Sequence, residues 1–259
     1  MSNFTSNDTE IHYQTFGDCA QPALIFSNSL GTNFNMWQPQ IDTLKNDFYI
    51  ICYDTRGHGK SSAPQGPYSI DQLGTDVIHL LDHLHIRKAI FCGISMGGLT
   101  GQWLAIHYPD RFNHVIVCNT AAKIGQENAW NERAQLVREE GLDSIASTAA
   151  SRWFTENFIK NHADVVATLS TNLAAGSPEG YASCCEALSK ADLREQLKNI
   201  RIPVLVVAGS KDPVTTVADG QYMVNNIKSS ALFEIDASHI SNIEQPEVFN
   251  QVLKQFIKA

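Results

Sequence analysis

The chain has 259 residues, 43% of them hydrophobic and 18% charged, enough apolar material for a large buried core and too ordinary a balance for a disordered chain. Its formal net charge of -8 and the absence of a Lys/Arg run exclude a general attraction to nucleic acid or to an anionic membrane, and nowhere do about 18 apolar residues run together. The opening Met1 to Glu10 lacks the basic and apolar regions of a secretory signal, so the expectation is a soluble, cytoplasmic protein with a small-molecule partner.

The alternating stretch Glu10 to Phe16 reads as the first strand, followed by the apolar run Ala23 to Phe26 and a polar loop containing Gly31. Phe48 to Tyr53 repeats the pattern and meets a loop with Gly57 and Gly59. Ile70, Leu73, Val77, Leu80, Leu81 and Leu84 then recur at helical spacing behind Ser69, a good N-cap. Lys88 to Gly93 is a strand, Gly97 to His107 a helix, and Val115 to Cys118 a strand. Further strands fall at Val204 to Ala208 and Leu232 to Ile235, and a closing helix runs from Pro246 to Ile257.

Strands alternating with helices imply a mainly parallel sheet covered on both faces. The residues between the strands ending at Cys118 and beginning at Val204 are rich in helix formers, and a structureless loop of that length is improbable. The expected organisation is therefore a core of residues 1–120 and 191–259, with residues 121–190 inserted as a helical lid. Three of the six cysteines, Cys52, Cys92 and Cys118, lie in apolar runs, and no metal-binding or CxxC spacing occurs, so reduced structural thiols are expected. Cys184 beside Cys185 is the one unusual placement.

The strongest chemical signal is Gly93-Ile94-Ser95-Met96-Gly97 between a strand and a helix. A nucleophile at such a turn is exposed at the end of the sheet, and the glycines leave room for the sharp backbone. A serine hydroxyl needs a base to take its proton, and this arrangement orders the partners as Ser, then an acid, then His, each after a strand. Asp212 follows the strand Val204 to Ala208, and His239 follows the strand Leu232 to Ile235. His239 is the sole histidine after His162, and the alternative acid position after Cys118 holds Asn119 and Thr120. Ser95 is thus the candidate nucleophile, His239 the base and Asp212 the acid that orients it.

The tetrahedral intermediate requires backbone N–H donors at its oxyanion. Met96, which follows the nucleophile, supplies one; the second is expected from the loop Asn28-Ser29-Leu30-Gly31, at Leu30 because it precedes the turning glycine, with plain loop punctuation as the other reading of that segment. His58, in the Gly-rich turn Asp54 to Gly59, is read as a hydrogen-bonded structural residue. His79, His83 and His85 with Asp82 are read as a solvated helix face, because Leu80 stands where a zinc-binding motif needs a glutamate. No metal and no cofactor are expected.

Asn28-Ser-Leu-Gly31 with Trp37, Asp54-Thr-Arg-Gly-His-Gly59, Gly93-Ile-Ser-Met-Gly-Gly98, Asn119-Thr-Ala-Ala122 and Asp236-Ala-Ser-His239 together resemble the 3-oxoadipate enol-lactonase family. The resemblance spans nearly the whole chain. It implies an α/β-hydrolase fold with an eight-stranded, mainly parallel sheet, and cofactor-free hydrolysis of a small anionic lactone in protocatechuate or catechol breakdown. A net-acidic protein needs a local cation for such a substrate, and Trp130 with Arg133, i and i+3 at the start of the inserted segment, offers one. A solvated arginine beside a lid-core tryptophan fits the same pattern. A carboxylesterase or cofactor-free perhydrolase on this scaffold, and a non-enzymatic ligand sensor, remain open alternatives.

Overall fold

The apolar runs of the sequence line up side by side. A computed structural model describes residues 2–258, and it joins the strands into one eight-stranded sheet in the order β1-β2-β4-β3-β5-β6-β7-β8. These are β1 (Ser2–Ser6), β2 (Thr9–Phe16), β3 (Ala23–Ser27), β4 (Tyr49–Tyr53), β5 (Ala89–Ile94), β6 (Phe112–Cys118), β7 (Val204–Gly209) and β8 (Ser230–Ile235). The β1–β2 and β2–β4 pairs are antiparallel and the remaining pairs parallel. β5 and β7 are buried at every position, which is why they read as unbroken apolar runs, whereas β1 alternates inward Phe4 and Ser6 with exposed neighbours. That short, polar edge strand was not expected from the sequence.

The helices of the core are α1 (Gln38–Leu44), α2 (Ile70–His83), α3 (Met96–His107), α10 (Val217–Asn226), α11 (Ser241–Glu244) and α12 (Pro246–Lys258). α2 begins on a capping box in which the Ser69 side chain accepts from Gln72 N and the Gln72 side chain accepts from Ser69 N. α2 packs beside α3 and α1 beside α12, so the sheet is covered by helices as its apolar strands require. α3, running back from the end of β5, is buried along nearly its whole length.

Between β6 and β7 lie α4 (Glu127–Glu140), α5 (Asp143–Ser147), α6 (Ala149–Trp153), α7 (Glu156–Asn161), α8 (Ala163–Ala174) and α9 (Pro178–Lys190). α4 lies along α9, tied by Arg138, which donates to Glu179 at 2.9 Å and to Glu186 at 2.7 Å. α9 rests on the core where Gly180 meets Gly57, backbone against backbone; a methyl group on either would run into the other. This close backbone approach seats α9 on the core.

The six cysteines are free thiols, with Cys184 and Cys185 both buried on α9. The face expected to be solvated is exposed at Asp82, His83 and His85 and partly covered at His79. His79 Nδ1 lies 2.9 Å from Ser6 Oγ, and the His83 ring stacks on Phe4. The edge strand missed in the sequence supplies both contacts. Among the described residues, no helix is long and apolar enough to cross a membrane.

Candidate active site

The end of β5 turns into α3 through Ser95, whose φ of 57° and ψ of −116° lie in a region that side chains avoid. The turn persists because its surroundings hold it. Ser95 N donates to Cys118 O at 2.9 Å, Gly97 N donates to Asn28 O at 3.1 Å, and the Thr120 hydroxyl donates to Ser95 O at 2.8 Å. A methyl group at Gly93 would meet the Gly97 carbonyl, and one at Gly97 would meet the Ser27 carbonyl. Both glycines of the motif are therefore required by close backbone approach.

His239 and Asp212 stand on the loops after β8 and β7. His239 Nδ1 lies 2.8 Å from Asp212 Oδ2, and both residues are buried. Asp212 Oδ2 also accepts from the Thr215 hydroxyl at 2.9 Å and from Asn119 Nδ2 at 3.1 Å, while Oδ1 accepts from Val214 N at 2.7 Å and Thr215 N at 3.1 Å. Burial pushes the Asp212 carboxyl upward, but His239 and these donors outweigh it and hold the group below its ordinary value. An ionised, acceptor-only carboxylate makes His239 Nδ1 the donor and fixes the orientation of the ring. The insertion steadies this loop, since Ile240 N donates to Trp153 O at 3.0 Å.

The loop after β3 is anchored through Asn28. Its Nδ2 donates to Tyr53 O at 2.9 Å, and its Oδ1 accepts from Trp37 Nε1 at 3.0 Å. The Asp54 to Gly59 turn packs beneath it: Asp54 accepts from Phe34 N and Lys60 N, and the buried Arg56 makes a two-pronged ion pair with Asp76 at 2.6 and 2.8 Å. Asn28, Trp37 and the 54–59 turn thus share one task, holding a loop of irregular backbone rigid at the end of the sheet.

Ser95, His239 and Leu30 open into a cavity of about 190 Å³ whose other walls come largely from the insertion. Trp130, Arg133, Arg152, Trp153 and Tyr181 line it, and no described Asp or Glu does. Trp130 and Arg133 do share this wall, with the guanidinium 5.0 Å from the indole ring centre. Trp130 Nε1 donates to Ile124 O at 2.6 Å, which fixes the ring. Arg152 bonds to Thr148 Oγ1 and Ile145 O; burial, and then the neighbouring Arg133, lower its pKa. Two guanidinium groups close enough to repel thus face the same cavity.

Several of these residues carry no sequence signal of their own. Asn119 and Thr120 stand in the sequence as a position without a competing acid and as part of the Asn119-Thr-Ala-Ala122 motif, with no role of their own, yet one holds Asp212 and the other the Ser95 carbonyl. Their place at the end of β6, facing both loops, was the available clue. Arg152 sits in a five-residue helix too short to show a periodic face.

The model of the alpha/beta hydrolase fold family matches residues 22–246, and the chain belongs to that family. It is 64% identical to 3-oxoadipate enol-lactonase 2 of Acinetobacter baylyi over 98% of this chain and 95% of that protein, and 48% identical to 3-oxoadipate enol-lactonase 1 of the same organism over 92% and 89%. A solved enol-lactonase from Burkholderia xenovorans LB400 is 43% identical and superposes with a TM-score of 0.98, covering 100% of both chains. Within the fold family, the chain's place is among the 3-oxoadipate enol-lactonases.

Proposed function

We propose that this chain is a serine hydrolase that opens 3-oxoadipate enol-lactone to 3-oxoadipate in the β-ketoadipate pathway. The observation that carries the reading is a cavity walled by two arginines and no described acid, with Ser95 and His239 at its floor. In a protein of net charge -8, such a wall recruits a small anion that the rest of the surface repels. Arg133, stacked over Trp130, holds the carboxylate, Arg152 adds a second cation, and the lactone carbonyl is presented to Ser95.

His239 takes the Ser95 proton as Oγ bonds to the lactone carbonyl carbon. The developing oxyanion is held by the N–H groups of Leu30 and Met96. The ring C–O bond breaks, and the leaving enol oxygen takes the proton from His239, giving an acyl-enzyme whose enol is still tethered through the acyl chain. Water, deprotonated by His239, then attacks the acyl carbon and Ser95 Oγ regains its proton; the released enol tautomerises to the 3-oxo acid. Asp212 keeps the imidazole in one tautomer throughout and stabilises its charged form. Residues 121–190 act as a lid that supplies substrate contacts and excludes water, over a core of residues 1–120 and 191–259. The reading requires no cofactor and retains a cytoplasmic setting.

The test compares steady-state hydrolysis of 3-oxoadipate enol-lactone with that of p-nitrophenyl acetate. A kcat/KM for the lactone of at least ~10⁴ M⁻¹s⁻¹, well above the ester, is expected. Ester turnover without lactone turnover would leave a general esterase and remove the substrate assignment.

A further inference from the structure

Of the two oxyanion donors in the proposed function, Met96 begins a helix, and Leu30 lies in a loop without regular structure. In a trans peptide the C=O and N–H point in opposite directions, so whatever holds the carbonyl of one residue aims the N–H of the next. For Met96 the opposing carbonyl is Ser95 O, held by Leu99 N at 2.9 Å and the Thr120 hydroxyl at 2.8 Å. For Leu30 it is Ser29 O, which accepts from Thr32 N at 3.2 Å and from the Thr32 hydroxyl at 2.8 Å. Thr32 Oγ1 also lies 3.0 Å from Met36 Sδ, but it has one proton and the carbonyl is the stronger acceptor. The following peptide is held as well: Gly31 N donates to His58 Nε2 at 2.9 Å.

We propose that Thr32 and His58 are positioning residues that clamp the two peptides flanking Leu30 and so aim its N–H at the oxyanion. The inference rests on the assignment of Leu30 as a donor. His58 is suited to the task because its other nitrogen, Nδ1, faces Arg56 O at 3.3 Å with Cys184 Sγ 4.0 Å away, an environment that places the ring proton on Nδ1 and leaves Nε2 to accept. Burial pushes its pKa down to about 4, so this acceptor persists through neutral pH. The loop donor thereby gains the rigidity that the helix gives Met96, and a preorganised donor acts on the transition state more than on the bound substrate.

The experiment compares Thr32→Val with Thr32→Ser, and His58→Leu with His58→Gln, on the enol-lactone. Thr32→Val and His58→Leu should lower kcat by roughly 10- to 100-fold with KM changed less than about 2-fold. The Ki of a boronic acid that forms a tetrahedral adduct on Ser95 should rise by the same factor, and binding of the product 3-oxoadipate should not change. Thr32→Ser and His58→Gln, which keep the hydroxyl and an acceptor, should recover most of the rate. Equal impairment of the Val and Ser variants, or a loss that falls in KM and product binding, would overturn the clamp. If Thr32→Val does not fold, the His58 pair decides. Replacing Leu30 by its α-hydroxy acid removes the N–H and, by making Ser29 O an ester carbonyl, also weakens its bond to Thr32. Unchanged kcat in that variant refutes the donor itself, and with it the clamp; lowered kcat there with normal clamp variants refutes the clamp alone.

Discussion

At Asp212 burial and hydrogen bonding oppose each other, and the bonds prevail. Asp212→Asn keeps the shape but presents an amide to the imidazole and favours the wrong tautomer; kcat on the lactone should fall about 10³- to 10⁴-fold with little change in KM. Arg133→Ala should instead raise KM for the lactone far more than for a neutral ester, and equal changes for both substrates would remove its role in carboxylate binding. His58 predicts a stability effect with a definite sign. Its pKa is lowered from 6.5 to about 4 on folding, so between these values the unfolded chain binds the proton and the folded one does not. Its contribution is complete above pH 6.5 and is lost as the pH falls, by about 2 kcal/mol at pH 5. Urea unfolding of the wild type and of His58→Gln at pH 7 and pH 5 checks this, with the pH dependence reduced in the variant. The Ser95 motif was legible because its chemistry demands glycines at fixed spacing, and Asp212 and His239 because they follow strands. Asn119, Thr120 and Thr32 were not legible in those roles, since a polar residue at a strand end or in a turn looks alike whether it solvates the chain or holds a catalytic group.

The elements divide by what they pack against. Strands buried on both faces declare themselves as apolar runs, and α2 and α12 show one apolar stripe, so both were read close to their observed ends. α5, α6 and α7 are five or six residues long, less than two turns, and no period can be recognised over so short a length. That the segment between β6 and β7 is helical was therefore legible while its division into elements was not. The seating of α9 on the core makes a further prediction. Gly180→Ala improves helix propensity by about 1 kcal/mol, but its methyl meets the Gly57 backbone, which cannot yield as a flexible side chain would. Overpacking at such a contact costs about 1–3 kcal/mol, so the net change should be destabilising, with a lowered Tm. Because α9 also carries Tyr181 into the cavity, kcat/KM for the lactone should fall with it. A raised Tm at normal activity would show that the insertion is not seated there.

For the molecule as a whole, charge and shape work together: an acidic surface surrounds one small cavity with two guanidinium groups in its wall. Salt screens both the pull of that cavity on an anion and the repulsion from the acidic surface, so KM for the anionic lactone should change between low ionic strength and about 0.5 M salt, while KM for a neutral ester stays nearly constant. The sequence revealed the sheet and its catalytic end because both follow from local pattern and chain order. The cationic wall was only half visible, since Arg133 and Arg152 come together through the packing of α4 and α6 over the sheet and not through any spacing between them. The central claim is that Ser95, activated by His239 and Asp212, attacks the lactone, and the most direct measurement is lactone turnover by Ser95→Ala beside the wild type. The account predicts a loss of at least about 10⁴-fold in kcat with the fold intact. Turnover near the wild-type rate would contradict it.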